Sequence, residues 1–282
     1  MSQETVRGRQ GSGSGFGLDL LTTKKAFVAY AVVLTIYIYL PIISLVAFSF
    51  NEGGLTFPFV GFSLEWYTQL LSNEAMMAAI RRSLLLASAT MVVTTVLATA
   101  MAIAYRREFL GKRTLLFLFV LGIITPGITY GIGATLLLNE ILGLPKNLWL
   151  ALTVHVVWTL PFSFIVLLAG FPPTLAQNER AARVMGADTV TVFREIVFPQ
   201  ISPTILGAAV FAFTLSYNEA TRGLLIIGRQ NTMPLEVFAI ASSRRPTPEL
   251  FALGSITTVV STVLLVIASV LVFRSRAWGE DD

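Results

Sequence analysis

The sequence predicts an all-α integral membrane protein with six transmembrane helices. Hydrophobic residues make up 55% of its 282 positions and charged residues only 13%, whereas about a quarter of the residues in a soluble domain are charged. The mean hydropathy is +0.75. Several apolar runs reach the ~20 residues that an α-helix needs to cross a bilayer. These observations place the chain in a lipid bilayer.

The six predicted spans form one transmembrane domain over residues 26–273. They cover residues 26–50, 80–105, 115–138, 148–171, 203–217 and 250–273, with residue 222 as the alternative end of the fifth span. The first span contains Pro41, which predicts a kink, and the second contains Ala98 and Ala102 at a spacing that allows close helix packing. Residues 224–228 are apolar but too short to cross, and residues 234–243 predict a surface helix.

Both ends of the chain are predicted to lie outside these spans. Residues 1–25 include the low-complexity stretch GSGSGFG at positions 11–17, which predicts a disordered segment. Residues 274–282 contain two arginines and three acidic residues, which predict a solvated tail. We expect both segments to be cytoplasmic.

The third predicted span is interrupted near its middle. Thr125, Pro126 and Gly127 stand in sequence there, and Gly131 and Gly133 follow within two turns. Proline and glycine at mid-depth leave backbone groups that lipid cannot satisfy. We therefore expect this break to face protein or a water-filled path.

The distribution of lysine and arginine predicts the orientation. With the N-terminus inside, thirteen of these residues lie on the cytoplasmic side and seven on the outer side, which favours cytoplasmic termini. The outer set consists of Arg81, Arg82, Lys146, Arg222, Arg229, Arg244 and Arg245. The net charge of +4 is thus explained by membrane topology, and we expect no nucleic-acid partner.

Residues 175–199 form a polar segment between the fourth and fifth spans and carry helical periodicity. Leu175, Ala182 and Met185 fall on one face at helical spacing. Gly186 follows, and glycine tolerates the left-handed conformation that often ends a helix. The pattern predicts a short helix and a sharp turn at the membrane surface.

A second short helix is predicted after that turn. Asp188 or Thr189 can cap its start. Pro199 is expected to end this helix and Pro203 to restart the chain toward the membrane. The predicted apolar face consists of Val190, Phe193 and Val197. From the pattern alone, the segment could equally be an amphipathic loop that rests on lipid headgroups.

The spacing within this segment resembles the cytoplasmic signature of permease subunits of binding-protein-dependent ABC importers. That signature reads Glu-Ala-Ala, three residues, Gly, nine residues, Ile-x-Leu-Pro. The matching positions here are Ala181, Ala182, Gly186, Ile196 and Pro199, with Phe198 in the place of the leucine. Arg180 occupies the usual glutamate position, and Glu179 stands one residue earlier.

The resemblance implies a type I ABC importer permease fold in the inner membrane. It also implies that Glu179, Arg180 and the signature residues form a coupling helix that docks on an ATPase subunit. The expected partners are a second homologous permease, two ATPase subunits, an extracytoplasmic solute-binding protein and the lipid bilayer. ATP and magnesium would bind to the ATPase subunits, because this sequence contains no Gly-x-x-x-x-Gly-Lys-Ser/Thr phosphate loop.

Further stretches resemble the spermidine/putrescine branch of these permeases. They are Gly61-Phe62-Ser63, Trp66-Tyr67, Ser83-Leu84, FAFTLSYNE at 211–219 and Met233-Pro234-Leu235. The resemblance implies import of a polyamine or a related small amine, although the branch includes relatives that resemble importers of aminophosphonates and similar solutes.

Glu219 is the main candidate for a solute contact. It follows the fifth span, beside Tyr217 and Asn218, and an acid at a span end should face the bundle interior or outer water. One interpretation is a ligand for a cationic solute. The other is a salt bridge to Arg222, one helical turn later. Near the break at Pro126, the same path could be lined through cation–π contacts by Tyr130, Trp158, Phe162 and Tyr217. The alternative for each of these aromatic residues is ordinary packing between helices.

Other functions have weaker support in the sequence. We expect no catalytic residues and no metal site, because the only histidine, His155, has no second ligand nearby and the chain has no cysteine. His155 is interpreted as a structural hydrogen-bonding residue. An ion-coupled carrier would need acidic residues at mid-depth, and a membrane-embedded enzyme would need paired catalytic residues. The spans before Glu219 offer neither.

Overall fold

A computed structural model describes residues 15–54, 56–243 and 247–277, which fold into ten helices. They are α1 (Gly15–Phe48), α2 (Glu65–Ser72), α3 (Glu74–Tyr105), α4 (Lys112–Ile124), α5 (Gly127–Ile141), α6 (Leu148–Gly170), α7 (Leu175–Val184), α8 (Thr189–Tyr217), α9 (Met233–Ser243) and α10 (Pro248–Ala277). The last part of α5, Leu136–Ile141, and an early part of α8, Val192–Val197, are π-helical turns.

Six crossings can be assigned in this set. Helices α1, α3, α6, α8 and α10 are each long and apolar enough to span a bilayer. The sixth crossing is the bent pair formed by α4 and α5, whose axes meet at 106°. The all-α fold with six spans is therefore confirmed, including the predicted break in the third span.

Several predicted boundaries differ from the structure. Helix α1 begins at Gly15, so residues 15–25 are helical and not disordered, while residues 1–14 lie outside the described residues. Helix α3 begins at Glu74 rather than at residue 80, because Asn73 caps it by accepting a hydrogen bond from the Met76 N–H. Helix α10 continues to Ala277, and the acidic end of the predicted tail lies outside the described residues.

The centre of the bundle is formed by α3, α6 and α8. Helices α3 and α6 run parallel, since Thr94 is hydrogen-bonded to Thr159 at 2.8 Å and Ala98 and Ala102 pack farther along against Phe164. Both alanines are fully buried. Their small side chains let the helices approach closely, as the sequence predicted.

Helix α8 runs in the opposite direction to α6. The Thr204 hydroxyl donates to the Gly170 carbonyl at 3.1 Å near the start of α8, and Ser216 lies 2.8 Å from the His155 ring near its end. The contacts thus advance along α8 while they retreat along α6. The segment between these two helices, residues 171–188, lies on the side where α3 and α6 end.

The first and last spans pack together at the opposite side. The Cβ position of Gly254 in α10 would lie 2.9 Å from Leu45 of α1. Just beyond α1, Ser49 is hydrogen-bonded to Tyr67, which also donates to Ser255. Alternating crossings therefore place the start of α1 and the end of α10 on the same side as residues 171–188.

The chain between α8 and α9 adopts turns yet remains inside the bundle. Ile226 and Ile227 are fully buried and pack against Leu148 and Ala151 in the first turn of α6. The fifth crossing is therefore helical in one half and irregular in the other. Such backbone is tolerated at membrane depth only where it is buried in protein or lines a water-filled cavity.

The structure adds to two sequence expectations for this part of the chain. The apolar residues 224–228 are too short to span alone, as expected, and they complete the fifth crossing. Helix α9 leaves Phe238 exposed, as a surface helix would, but its start is held in the bundle. The Ser83 hydroxyl of α3 accepts a hydrogen bond from the Met233 N–H at 2.7 Å, and both Met233 and Leu235 are buried.

Candidate substrate pathway and coupling segment

Glu219 lies near the middle of the bundle and not at the outer end of the fifth span. Helix α8 ends at Tyr217, and the Arg222 side chain that pairs with Glu219 stacks on Trp158. Trp158 is the eleventh of the 23 residues of α6, a helix about 34 Å long at 1.5 Å per residue. The predicted position of Glu219 and Arg222 at the outer surface was therefore wrong.

Glu219 and Arg222 form a buried ion pair, as one of the two sequence interpretations predicted. Arg222 Nη1 donates to Glu219 Oε2 at 2.6 Å. The other carboxylate oxygen, Oε1, accepts from the Arg222 backbone N–H and from the Thr221 hydroxyl, each at 2.9 Å. Only 8% of Glu219 and 9% of Arg222 are exposed. Pairing at such depth offsets the large cost of removing each charge from water.

The Arg222 guanidinium makes two further contacts. Its Cζ lies 3.3 Å from the centroid of the Trp158 ring, which is a close cation–π contact. Its Nη2 is 3.4 Å from the Thr125 carbonyl, at the break between α4 and α5. The guanidinium therefore joins three separate spans at one point.

We call this meeting point of Thr125, Trp158, Glu219 and Arg222 the junction. Two glycines after the break, Gly127 and Gly131, make it possible. A Cβ atom on Gly131 would lie 3.0 Å from the Arg222 carbonyl oxygen and 3.2 Å from that of Thr221. A Cβ atom on Gly127 would meet the Thr221 hydroxyl at 2.3 Å. The start of α5 can thus approach the backbone of residues 221–222 only because these side chains are missing.

The structure brings some of the predicted path residues together and separates others. Trp158, Glu219 and the break at Pro126 share one junction. Tyr217 instead packs in a different cluster, with Met76 of α3 and Leu253 of α10. Asn218 is exposed beside the pair, and its amide donates to the Thr214 carbonyl at 2.9 Å.

Tyr130 borders a separate cavity between α5 and α6. The cavity has a volume of about 390 Å³ and is lined by Tyr130, Gly133, Ala134, Leu137, Leu138, Thr153, Val154 and Val157. Its walls are largely apolar. The cavity can accept an apolar side chain or lipid, but it lacks the charged groups of the junction around Arg222.

His155 occupies the interior next to this junction. It is 2% exposed, and its Nδ1 lies 2.8 Å from the Ser216 hydroxyl. Its Nε2 approaches Gly223, where a Cβ atom would lie 3.2 Å away. Among the described residues, no group of three potential metal ligands occurs. His155 thus holds the end of α8 and the following turn against α6.

Residues 175–199, the candidate coupling segment, are anchored by part of the predicted face of α7. Leu175 and Ala182 are buried and pack with Val192, Val197 and Ile201 of α8. Met185 was expected on the same face, but it is 81% exposed. It is the C-cap of α7, so its side chain no longer follows the helical repeat. Val184 beside it is 88% exposed.

The turn after α7 follows the sequence prediction. Gly186 has φ +90°, in the left-handed region that suits glycine. Its N–H donates to the Arg183 carbonyl, and the Ala187 N–H donates to the Ala182 carbonyl, each at 3.0 Å. These two bonds form a Schellman motif, which fixes the direction of the chain after the helix.

Asp188 caps the start of α8. Its side chain accepts the Thr191 N–H at 2.9 Å, and hydrogen bonds from the Thr191 side chain and backbone lower the pKa of the Asp188 carboxyl. The carboxylate also suits the positive end of the helix dipole.

The predicted apolar face of this second helix was only partly right. Val197 is buried, but Val190 and Phe193 are exposed, and Val192 is buried in their place. The π-helical turn Val192–Val197 contains a wider repeat, so the buried face shifts relative to an ideal α-helix. Pro199 comes two residues after the end of that turn, and the helix does not end there as expected but continues to Tyr217.

An ion pair connects α7 to the end of α3. Arg106 Nη1 donates to Glu179 Oε1, and both side chains are largely buried. Glu179 is therefore satisfied within the chain. Arg180, which occupies the usual glutamate position, is exposed, so the outward-facing charge of this helix is positive. Ile196 packs against the cluster of Leu175, Ala182, Val192, Val197 and Ile201 that anchors α7.

Six crossings, with a helix–turn–helix segment between the fourth and fifth, define a multi-pass membrane protein. A family model described as the inner membrane component of binding-protein-dependent transport systems matches residues 75–277. The chain belongs to this family. It is an inner-membrane permease subunit of an ABC importer.

Two permease proteins of known systems are similar to this chain in sequence. The chain is 30% identical over 248 residues to the spermidine/putrescine transport system permease protein PotC of Escherichia coli strain K12, covering 86% of this chain and 92% of that one. It is 29% identical over 253 residues to the trehalose/maltose transport system permease protein MalG of Thermococcus litoralis, covering 86% and 89%.

A solved structure supports the same fold. A chain in the crystal structure of a bacterial ABC transporter for the acidic polysaccharide alginate superposes with a TM-score of 0.64 at 17% identity. The match covers 90% of this chain and 98% of that chain. At this level of identity the likeness establishes the permease fold alone.

Proposed function

We propose that this permease imports a polyamine or a related small amine. The observation that carries the proposal is the junction at mid-depth. There the Glu219 carboxylate, the face of Trp158 and the Thr125 carbonyl surround the guanidinium cation of Arg222. Carboxylates and indole faces are the groups that stabilise alkylammonium ions in a desolvated site. The similarity to a spermidine/putrescine permease supports the same solute class.

The working importer would contain a second, homologous permease, two ATPase subunits and an extracytoplasmic binding protein. In this assembly ATP and magnesium bind to the ATPase subunits. Both termini and α7 face the cytoplasm, in agreement with the excess of lysine and arginine on that side. The exposed Val184, Met185 and Arg180 then form the surface of α7 that enters a groove of the ATPase.

Coupling would proceed through α7 as a rigid lever. Only residues 171–174 separate α6 from α7, the Schellman turn joins α7 to α8, and Arg106 holds Glu179. Closure of the two ATPase subunits would shift α7, and α8 would carry the shift to its far end. That end holds Ser216 and leads directly to Glu219, so the motion reaches the junction at mid-depth.

A neutral solute is the second candidate. Glu219 and Arg222 neutralise each other, and a relative of similar identity is named for trehalose and maltose. A sugar would use the hydroxyl and carbonyl groups of the path and would gain nothing from the paired charges. The two candidates therefore differ in whether uptake needs the Glu219 carboxylate.

The experiment is ATP-dependent uptake into proteoliposomes that contain this permease with its partner permease and ATPase. Radiolabelled spermidine, putrescine, trehalose and an aminophosphonate are each supplied with the binding protein. We expect uptake of the amines that requires both ATP and the binding protein. Uptake of trehalose or the aminophosphonate without uptake of either amine would contradict the proposal.

A further inference from the structure

We infer that Arg222 is a tethered cation that occupies the site through which the ammonium groups of the solute pass. This inference rests on the proposed import of an amine. It assigns to Arg222 the role of a reversible plug: the guanidinium closes the site at rest and gives way when an alkylammonium ion arrives.

The surroundings of the guanidinium are those of a general cation site. A buried ion pair needs only its carboxylate, yet Arg222 also faces the Trp158 ring at 3.3 Å and the Thr125 carbonyl at 3.4 Å. The carbonyls in the last turn of a helix have no partner within that helix, and Thr125 follows the end of α4. A carboxylate, an aromatic face and a backbone carbonyl together suit an ammonium ion as well as a guanidinium.

The hydrogen bonds of Glu219 separate into a fixed half and an exchangeable half. Oε1 is held by the Arg222 backbone N–H and the Thr221 hydroxyl. Oε2 is the oxygen that receives the guanidinium. If the Arg222 side chain swings away, the bonds to Oε1 remain and keep the carboxylate in place. An ammonium group can then donate to Oε2 without a rearrangement of the backbone.

The site borders surfaces that a solute can reach. Asn218, next to Glu219 in the chain, and Pro126, next to Thr125, are both exposed, and Trp158 is only half-buried. In the complete importer a second permease would face such polar mid-depth groups, since exposing them to lipid is costly. The pair is thus placed beside the space between two permeases and not within the core of one.

Competition between Arg222 and the solute would keep binding weak. A solute held by an unopposed carboxylate at mid-depth would leave slowly, whereas conduction requires a site that also releases. When Arg222 returns to Oε2, it displaces the ammonium group. The same return leaves the empty path without an unpaired negative charge that would attract small cations.

The test measures equilibrium binding of radiolabelled spermidine to the purified importer in nanodiscs, without the binding protein. Arg222→Gln removes the competing cation, and we expect spermidine to bind about tenfold more tightly, a difference of about 1.4 kcal/mol. Spermidine uptake should fall several-fold in the same variant, because release slows. Arg229→Gln, at an exposed arginine in the same segment, should bind and transport like the wild type.

Three further variants separate the plug from a structural salt bridge. The double variant Glu219→Gln/Arg222→Gln should lose the gain in binding. Trp158→Leu in the Arg222→Gln background should reduce binding several-fold, whereas Trp149→Leu, at an exposed tryptophan, should not. Arg222→Lys keeps a tethered cation and should bind within a few-fold of the wild type. All comparisons use complexes of matched subunit composition.

The inference is overturned if assembled Arg222→Gln binds no more spermidine than the wild type, or if the gain persists without Glu219. Wild-type uptake distinguishes this failure from failure of the proposed function. If the wild type imports amines but Arg222→Gln gains no binding, only the plug is wrong. If the wild type imports no amine, the proposed function is wrong, and a Glu219-dependent gain in Arg222→Gln would still support the cation site.

Discussion

Gly186 controls the direction of the coupling segment through its backbone alone. Its φ of +90° lies in the left-handed region, and among the described residues nothing comes within 4 Å of the position of a Cβ atom there. A side chain would therefore meet no steric obstacle and would still strain the backbone. The effect of a substitution can thus be attributed to the turn and not to lost packing.

Gly186→Val should strain the turn by about 1–2 kcal/mol and misdirect α7. We expect ATPase association and solute uptake to fall together, as measured by co-purification and by uptake into proteoliposomes. Gly111→Val is the matched control, because Gly111 has φ +88° with equally open surroundings but lies in the turn between α3 and α4. Normal association and uptake in Gly186→Val would refute the lever mechanism.

The Arg106–Glu179 pair is the second residue-scale link in that mechanism. Arg106→Gln leaves Glu179 without its partner and frees α7 from the end of α3, so we expect several-fold slower uptake with the ATPase still bound. Arg107→Gln, at the exposed neighbour, serves as the control. If uptake per assembled complex is the same in both variants, the ion pair does not transmit the motion.

At the scale of the helices, the broken third span and the irregular end of the fifth span form one unit. Neither is a regular transmembrane helix, and each provides hydrogen-bond or packing partners for the other. The Thr125 carbonyl accepts from Arg222, and the start of α5 packs against the backbone of residues 221–222. The two interruptions are therefore parts of one junction, which explains why both can exist at membrane depth.

Gly131→Ala should separate the two halves of this junction. The new methyl group would lie 3.0–3.2 Å from two backbone carbonyl oxygens, and we expect a loss of stability of about 1–3 kcal/mol. Gly133→Ala is the control, since no described atom lies within 4 Å of its Cβ position. The measurement is the thermal stability of the purified permease by size-exclusion chromatography. Equal stabilities would show that α5 does not depend on this contact.

Sequence reasoning succeeded where one residue determines the local backbone. The turn at Gly186 and the break at Pro126 were predicted correctly, and Asp188 was one of the two residues predicted to cap α8, because proline, glycine and aspartate act on their immediate neighbours. The face formed by Val190 and Phe193 was predicted wrongly, since a π-helical turn cannot be read from an α-helical repeat. The depth of Glu219 was missed because a span that ends halfway and continues as turns does not resemble a span.

The predicted positions of the Met185 and Tyr217 side chains were wrong for a related reason. Hydrophobic periodicity identifies apolar side chains but not the surface that they meet. Met185 lies past the end of α7 and faces outward, while Tyr217 turns toward α10 rather than toward Trp158. The contact of Arg222 with Trp158 and Thr125 joins three spans, and sequence spacing reveals only its local partner, Glu219.

At the scale of the whole molecule, the structure shows which ends of the crossings lie on the same side of the membrane. The basic residues predict which of the two sides is cytoplasmic. With Arg222 at mid-depth, the outer side retains six of the seven basic residues first assigned to it, which strengthens the bias toward cytoplasmic termini. Of these six, Arg244 and Arg245 lie outside the described residues. The chain lacks cysteine, so single cysteines can test the orientation without a background signal.

Arg107→Cys should react with a membrane-impermeant maleimide only after the cells are opened, because Arg107 follows α3 on the side of the coupling segment. Gly53→Cys, beyond the end of α1, should react in intact cells. Asp188→Cys and Arg244→Cys extend the comparison to the predicted inner and outer sides. Labelling of Arg107→Cys from outside intact cells would show that the predicted orientation is wrong.

The central claim is that the Glu219–Arg222 junction lies on the path of the solute. Asn218 is exposed beside it, so the most direct measurement is the reaction of Asn218→Cys with a cationic methanethiosulfonate in the assembled importer. We predict that the reagent reacts from water, that spermidine slows the reaction and that the modified importer loses uptake. If Asn218→Cys reacts only with lipophilic reagents, or at the same rate with and without spermidine, the junction is not on the solute path.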